Sequence, residues 1–123
     1  MEPKKFSLSD RLKSFNYAFN GLKILIQEEH NARIHFFIAL IVIIGGFIYS
    51  ISSMEWIIVI FAIGFVIAFE LINTAIEQIA NFISPEKHES IKRIKDIAAA
   101  AVLISVITAV LIGFIIFLPK IFS

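Results

Sequence analysis

The 123-residue chain has no cysteine, which excludes disulfides and thiolate metal sites together. Its five glycines, at positions 21, 45, 46, 64 and 113, form neither a GxGxxG fingerprint nor a phosphate-binding P-loop. No kinase catalytic-loop signature and no Ser-His-Asp pattern stands out, so soluble nucleotide-binding architecture is excluded. The N-terminus lacks the basic, apolar and small-residue segments of a cleaved signal peptide. Charge is scarce as well: 17% of residues are Asp, Glu, Lys or Arg, against about a quarter in a soluble domain.

What fills the chain instead is apolar: 59% of residues are hydrophobic and the mean hydropathy is +0.89, which points to a membrane protein. Residues 36–54 and 97–119 carry no Asp, Glu, Lys or Arg, and a spanning helix needs roughly 20 such residues. A third stretch, 56–83, is long enough only if Glu70 and Glu77 lie inside the span or at its edge. The expected fold is an all-α membrane protein forming a single domain over 1–123. It has a surface helix over about 7–29 and spans over about 34–53, 55–82 and 90–118.

In the surface helix, Leu8, Leu12, Phe15, Phe19, Leu22 and Ile26 make one apolar stripe, with Arg11, Lys13 and Lys23 off it. Such a helix either lies in the membrane interface or packs on the bundle. Ser7 and Asp10 fit a capping box at its start, and Ser84-Pro85 fits a start for the third span. Lys4, Lys5, Arg11, Lys13, Lys23 and Arg33 precede the first span. Lys87, Lys92, Arg93 and Lys95 lie between the second and third. The 50–55 connection has no Lys or Arg, and only Lys120 follows the third span. By the positive-inside rule, the N-terminus and the second connection are cytoplasmic and the C-terminus is outside.

The second span carries the unusual feature. Glu70, Asn73 and Glu77 stand at i, i+3 and i+7, within roughly a 60° arc of one helix face, and Asn81 extends the line. Glu70 lies in the cytoplasmic third of the span. A structural reading has Glu77 reaching up to the interface and Glu70 pairing with a base. The second span itself offers no base, and intramembrane ionisable groups mark function by default. Glu28 and Glu29 precede the first span, and Lys95 and Asp96 open the third. Carboxylates from three segments, with a lysine, therefore meet at one depth. Carboxylate oxygens suit Mg²⁺, which takes one or two of them along with substrate phosphates, and a lysine suits a phosphate. The pattern describes a site for a metal and a polyanion at the lipid surface.

"FELINTAIE" followed by "KHESIKRIKDIAAAAVL" resembles the core signature of the prokaryotic diacylglycerol kinase family, small membrane lipid kinases that include undecaprenol kinases. The likeness extends to "YAFNGLK", "EHNAR" and "IIFLP" and covers nearly the whole chain. It implies a surface helix, three spans and a homotrimer in the bacterial plasma membrane, with active sites between subunits at the cytoplasmic surface. It also implies ATP as co-substrate, Mg²⁺, and a lipid alcohol as acceptor; no nucleic acid is expected. By analogy Glu70 is the catalytic base and Asn73 orients a reacting group. Glu29 and Glu77 hold Mg²⁺ on the ATP phosphates. Lys95 and Asp96 contact the nucleotide, with Tyr17, Glu86 and His88 as further contacts. The choice between Glu28 and Glu29 stays open, with Glu29 favoured because it opens the E-x-N-x-R pattern. Asn81 stands where the family usually has an aspartate, Lys87 where an aromatic often sits, and Asp10 where a basic residue is expected.

Undecaprenol and diacylglycerol both offer a primary hydroxyl. The likeness leans toward the undecaprenol kinases. The alternative from another class is a small proton- or cation-coupled transporter using Glu70. That would place acids near the midplane, whereas the polar groups here crowd one third of the spans.

Overall fold

The computed structural model describes residues 7–86 and 88–123; Lys4, Lys5 and Lys87 lie outside the described residues. Among the described residues the chain is all helical: α1 (Leu8–Glu28), α2 (His30–Ile48), α3 (Ser53–Ile83) and α4 (Glu89–Ile121). The last three are long and apolar enough to cross a membrane. α3 has 31 residues and α4 has 33. At about 1.5 Å per residue each exceeds a 30 Å hydrocarbon core, so both project beyond it.

Each helix end has a local cause. The Ser7 hydroxyl accepts from the Asp10 amide at 3.4 Å and starts α1. α1 and α2 are separated by one extended residue, Glu29, with φ −109° and ψ 108°. Its carboxylate makes no capping bond to α2, which leaves it free for other work. α2 closes on a Schellman motif: the Ser50 amide donates to the Phe47 carbonyl and the Ile51 amide to the Gly46 carbonyl. Ser50 takes the left-handed φ of 50° at the position usually given to glycine. Ile51 turns inward and is buried. Ser52 and Glu55 then form a full capping box at the start of α3. α4 begins at Glu89, with His88 as its cap, so Ser84-Pro85 does not open it. Pro119 lies within its last turn.

α3 and α4 run antiparallel and in close contact. At one end Lys120 pairs with Glu55 at 3.1 Å, and at the other the Lys95 ammonium donates to the Asn81 side-chain oxygen at 2.6 Å. Small buried residues (Ala62, Ala98, Ser105) let the two backbones approach. The Ser105 hydroxyl is satisfied within its own helix by the Val102 carbonyl, 2.7 Å away. A knot of Ile51, Val59 and Ile116, with Trp56 and Phe117 against it, closes the end bearing Glu55. α2 packs on α3, and α1 touches both. The buried anchor of α1 is Leu25, while Leu8, Leu12, Phe15 and Phe19 remain exposed. The outer faces of the bundle are apolar: Ile60, Phe61, Phe114 and Ile115 all point outward. Water would not tolerate such a surface at this density, whereas hydrocarbon would.

Candidate functional site

Two stripes build the centre of the site. On α3, Val59, Ala62, Val66, Glu70 and Thr74 recur every three or four residues and are all buried. On α2, Ala32, His35, Ala39, Val42 and Gly46 follow the same period, with Ala32 and Gly46 buried and the rest half-buried. Small side chains let α2 come close, and His35 is the only polar group in its stripe. Packing the two stripes sets His35 Nδ1 2.6 Å from Glu70 Oε1. The atoms are close enough for an ion pair but not aligned as a hydrogen bond, and neither has another partner. Glu70 is 4% exposed.

Asn73 Oδ1 and Thr74 Oγ1 are also buried without a hydrogen-bond partner. Buried polar atoms nearly always find a partner. Among the described residues, all four exceptions belong to His35, Glu70, Asn73 and Thr74. His35 also heads an apolar groove of about 370 Å³ between α2, α3 and α4, walled by residues such as Val42, Val59, Val66, Val110 and Phe117.

Further along α3, the Asn73 amide donates to Glu77 at 3.4 Å, and Gln78 donates to Glu28 at 3.0 Å. Glu28 is thus engaged by an amide, whereas Glu29 faces other acids. Burial first, and then the charges of Glu77, Glu70 and Glu28, hold the Glu29 carboxyl above its usual range. Among the described residues, no three His, Cys, Asp or Glu side chains gather closely enough to hold a metal ion unaided. Mg²⁺ normally takes one or two carboxylates and completes its shell with phosphate and water. Glu29 and Glu77 therefore fit an ion carried on a polyphosphate, and an unrelieved acidic cluster is what such an ion would neutralise.

The third part lies at the C-terminal end of α3 and the start of α4. Lys95 is held by Asn81, one turn beyond Glu77. Lys92 pairs with Asp96 at 2.7 Å, and His88 Nδ1 accepts from the Ser90 amide at 3.1 Å. Glu86, His88, Lys92, Lys95 and Asp96 line an open groove of about 510 Å³. From Glu70 to Asn81 the helix axis advances roughly 16 Å. Buried centre, acidic cluster and lysine-bearing groove thus stand in line.

Of the residues singled out by sequence, Glu70, Asn73, Glu77 and Glu29 come together, and Glu86, His88, Lys95 and Asp96 share the outer groove. Tyr17 stands apart, 73% exposed on α1. The expectation that Glu70 lacks a basic partner holds for α3 alone; the partner is His35 of α2. Thr74 and Lys92 were also missed. The signal for His35 was its place as the one histidine inside the expected first span.

The family described as prokaryotic diacylglycerol kinase matches residues 16–117. An undecaprenol kinase of Bacillus subtilis is 39% identical over 108 residues, covering 88% of each chain. A diacylglycerol kinase of Synechocystis sp. is 33% identical over 113 residues, which is 91% of this chain and 65% of that protein. One from Haemophilus influenzae is 33% identical over 102 residues, 83% of this chain and 86% of that protein.

Proposed function

We propose that this chain, which belongs to the prokaryotic diacylglycerol kinase family, transfers the γ-phosphate of ATP to the primary hydroxyl of a membrane lipid, with undecaprenol the favoured acceptor. The observation that carries this reading is the buried cluster of unsatisfied polar atoms around Glu70, at the head of an apolar groove and in line with the acids and lysine of α3 and α4. A lipid alcohol can reach a carboxylate buried between membrane helices; a water-soluble acceptor cannot.

In the proposed reaction the lipid hydroxyl oxygen bonds to the γ-phosphorus, the bond from that phosphorus to the ADP oxygen breaks, and the hydroxyl proton passes to the Glu70 carboxylate. Asn73 orients the reacting groups. Glu29 and Glu77 hold Mg²⁺, which supplies charge neutralisation of the phosphates when bound. Lys95 and Asp96 contact the nucleotide, with Glu86 and His88 at the groove rim and Tyr17, which stands apart from them within one chain, as a further contact. Phosphoryl transfer is mostly positioning and charge stabilisation, which suits a site with no nucleophile of its own. The chain acts as one domain and assembles as a homotrimer in the bacterial plasma membrane. Its N-terminus and the α3–α4 connection face the cytoplasm, the C-terminus lies outside, and α1 lies in the interface. The Lys and Arg distribution and the exposed apolar stripe of α1 support that placement. The transporter alternative finds no support in the relatives.

The test uses the purified chain in lipid micelles with Mg²⁺ and γ-labelled ATP, offering undecaprenol and diacylglycerol side by side. Label is expected in both lipid fractions, more in undecaprenol, and Glu70→Gln should reduce transfer by roughly 10²–10⁴-fold. No label in either lipid from folded protein would overturn the reading.

A further inference from the structure

We infer that His35 is the positioning residue of Glu70: it fixes the carboxylate at the head of the apolar groove, where the acceptor hydroxyl must arrive. This rests on the reading of Glu70 as the base. Three observations carry it. His35 Nδ1 stands 2.6 Å from Glu70 Oε1, closer than the reported polar contacts of Asn73 with Glu77 and of Gln78 with Glu28. His35 is the only polar residue in the stripe that α2 turns toward α3, and its neighbours Ala32, Ala39, Val42 and Gly46 explain the packing without it. It also borders both the carboxylate and the groove.

A purely structural pair in this place would close an aligned hydrogen bond, because an unsatisfied buried group costs more than the bond returns. The His35–Glu70 contact is close yet unaligned, and each atom is otherwise without a partner. Catalytic contacts often look like this before substrate arrives and tighten in the reacting complex. A carboxylate without the imidazole would be free to swing along α3 toward the side-chain amide of Asn73. A displacement on the order of 1 Å can cost about 100-fold in rate. The imidazole, which itself lines the groove, blocks that swing from the α2 side. No step of the chemistry passes through His35 itself.

The experiment compares His35→Leu, His35→Asn and His35→Gln in the full chain, in lipid micelles, with undecaprenol and Mg-ATP. Asn carries an N–H near the place of Nδ1, whereas Gln carries it near Nε2. His35→Leu should lower kcat by roughly 10–100-fold with the KM for Mg-ATP unchanged. His35→Asn should recover most of that loss and His35→Gln little of it. Two results would overturn the inference: kcat within twofold of the parent in His35→Leu, or equal activity in His35→Asn and His35→Gln. If His35→Leu does not fold, the Asn and Gln pair decides alone. Glu70→Gln, assayed beside them, separates the two readings. Full turnover there overturns Glu70 as the base. Lost turnover there with an indifferent His35→Leu overturns only the role of His35.

Discussion

The start of α3 and its second half are built from similar residues and treat them in opposite ways. At the start, Ser52 and Glu55 cap each other, Glu55 also pairs with Lys120, and Trp56 packs under Gly46 against the Ile51 knot. Every polar group named there has a partner, and the carboxylate serves the helix. In the second half of the helix, Glu70, Asn73 and Thr74 carry buried atoms without a partner, and Glu29 sits among other acids. The start spends its polar groups on holding two helices in register. The second half holds them unsatisfied, which costs stability and marks a place where something else completes the bonding.

Substitutions in the two regions should therefore separate activity from stability. After Glu70, the largest effect is expected at Glu77, where the proposed Mg²⁺ ligand meets Asn73. Glu77→Gln keeps the shape and should raise the KM for Mg-ATP by roughly 10–100-fold, the usual scale for losing a metal-site interaction. The thermal midpoint should stay near that of the parent. Initial rates across a Mg²⁺ titration check this, and unchanged kinetics at limiting Mg²⁺ would remove Glu77 from the metal site.

Gly46 should show the reverse. A Cβ there would lie 2.6 Å from Cη2 of Trp56 and 2.8 Å from its Cζ2, and a rigid indole wedged in the core cannot easily yield. Gly46→Ala should lower stability by about 1–3 kcal/mol while the KM for Mg-ATP stays the same. Thermal unfolding and initial rates on the same preparation report both. A shift in KM with stability intact would mean that the two regions are coupled along α3.

The same contrast explains what could be read from sequence. Four helices and three apolar spans were legible because hydropathy and helical period are local properties of the chain. The line of Glu70, Asn73, Glu77 and Asn81 was legible for the same reason, since one unbroken helix runs through it. Helix ends were harder. Residues 30–33 read as a polar connection, yet they belong to α2, because Glu29 alone leaves the helical conformation. Pro85 looked like a helix start, but the His88 side chain provides the cap four residues before Lys92. His35 was missed because its meaning lies in the register of α2 on α3, which the composition of neither helix states. The matching stripes of small residues, read against each other, would have placed it opposite Glu70.

The smallest effect tests whether the acidic cluster is under strain in the way the comparison implies. Burial, Glu77, Glu70 and Glu28 raise the Glu29 carboxyl above its ordinary value of 4.5. A carboxyl raised on folding favours the fold below that ordinary value, and the contribution is lost as pH climbs through the raised value. In Mg²⁺-free buffer the parent should therefore lose stability across the window that opens at 4.5 and extends upward. Glu29→Gln removes the titrating group, so its midpoint should fall less over that window, with a difference within roughly 0.5 kcal/mol because the residue is only partly buried. Added Mg²⁺ and nucleotide should recover the parent's loss and do much less for the variant. Thermal unfolding of both proteins over the window, with and without Mg-ATP, measures this. Parallel curves would mean that Glu29 is relieved by a partner in the assembled protein, and the metal would then have to be sought at Glu28 and Glu77.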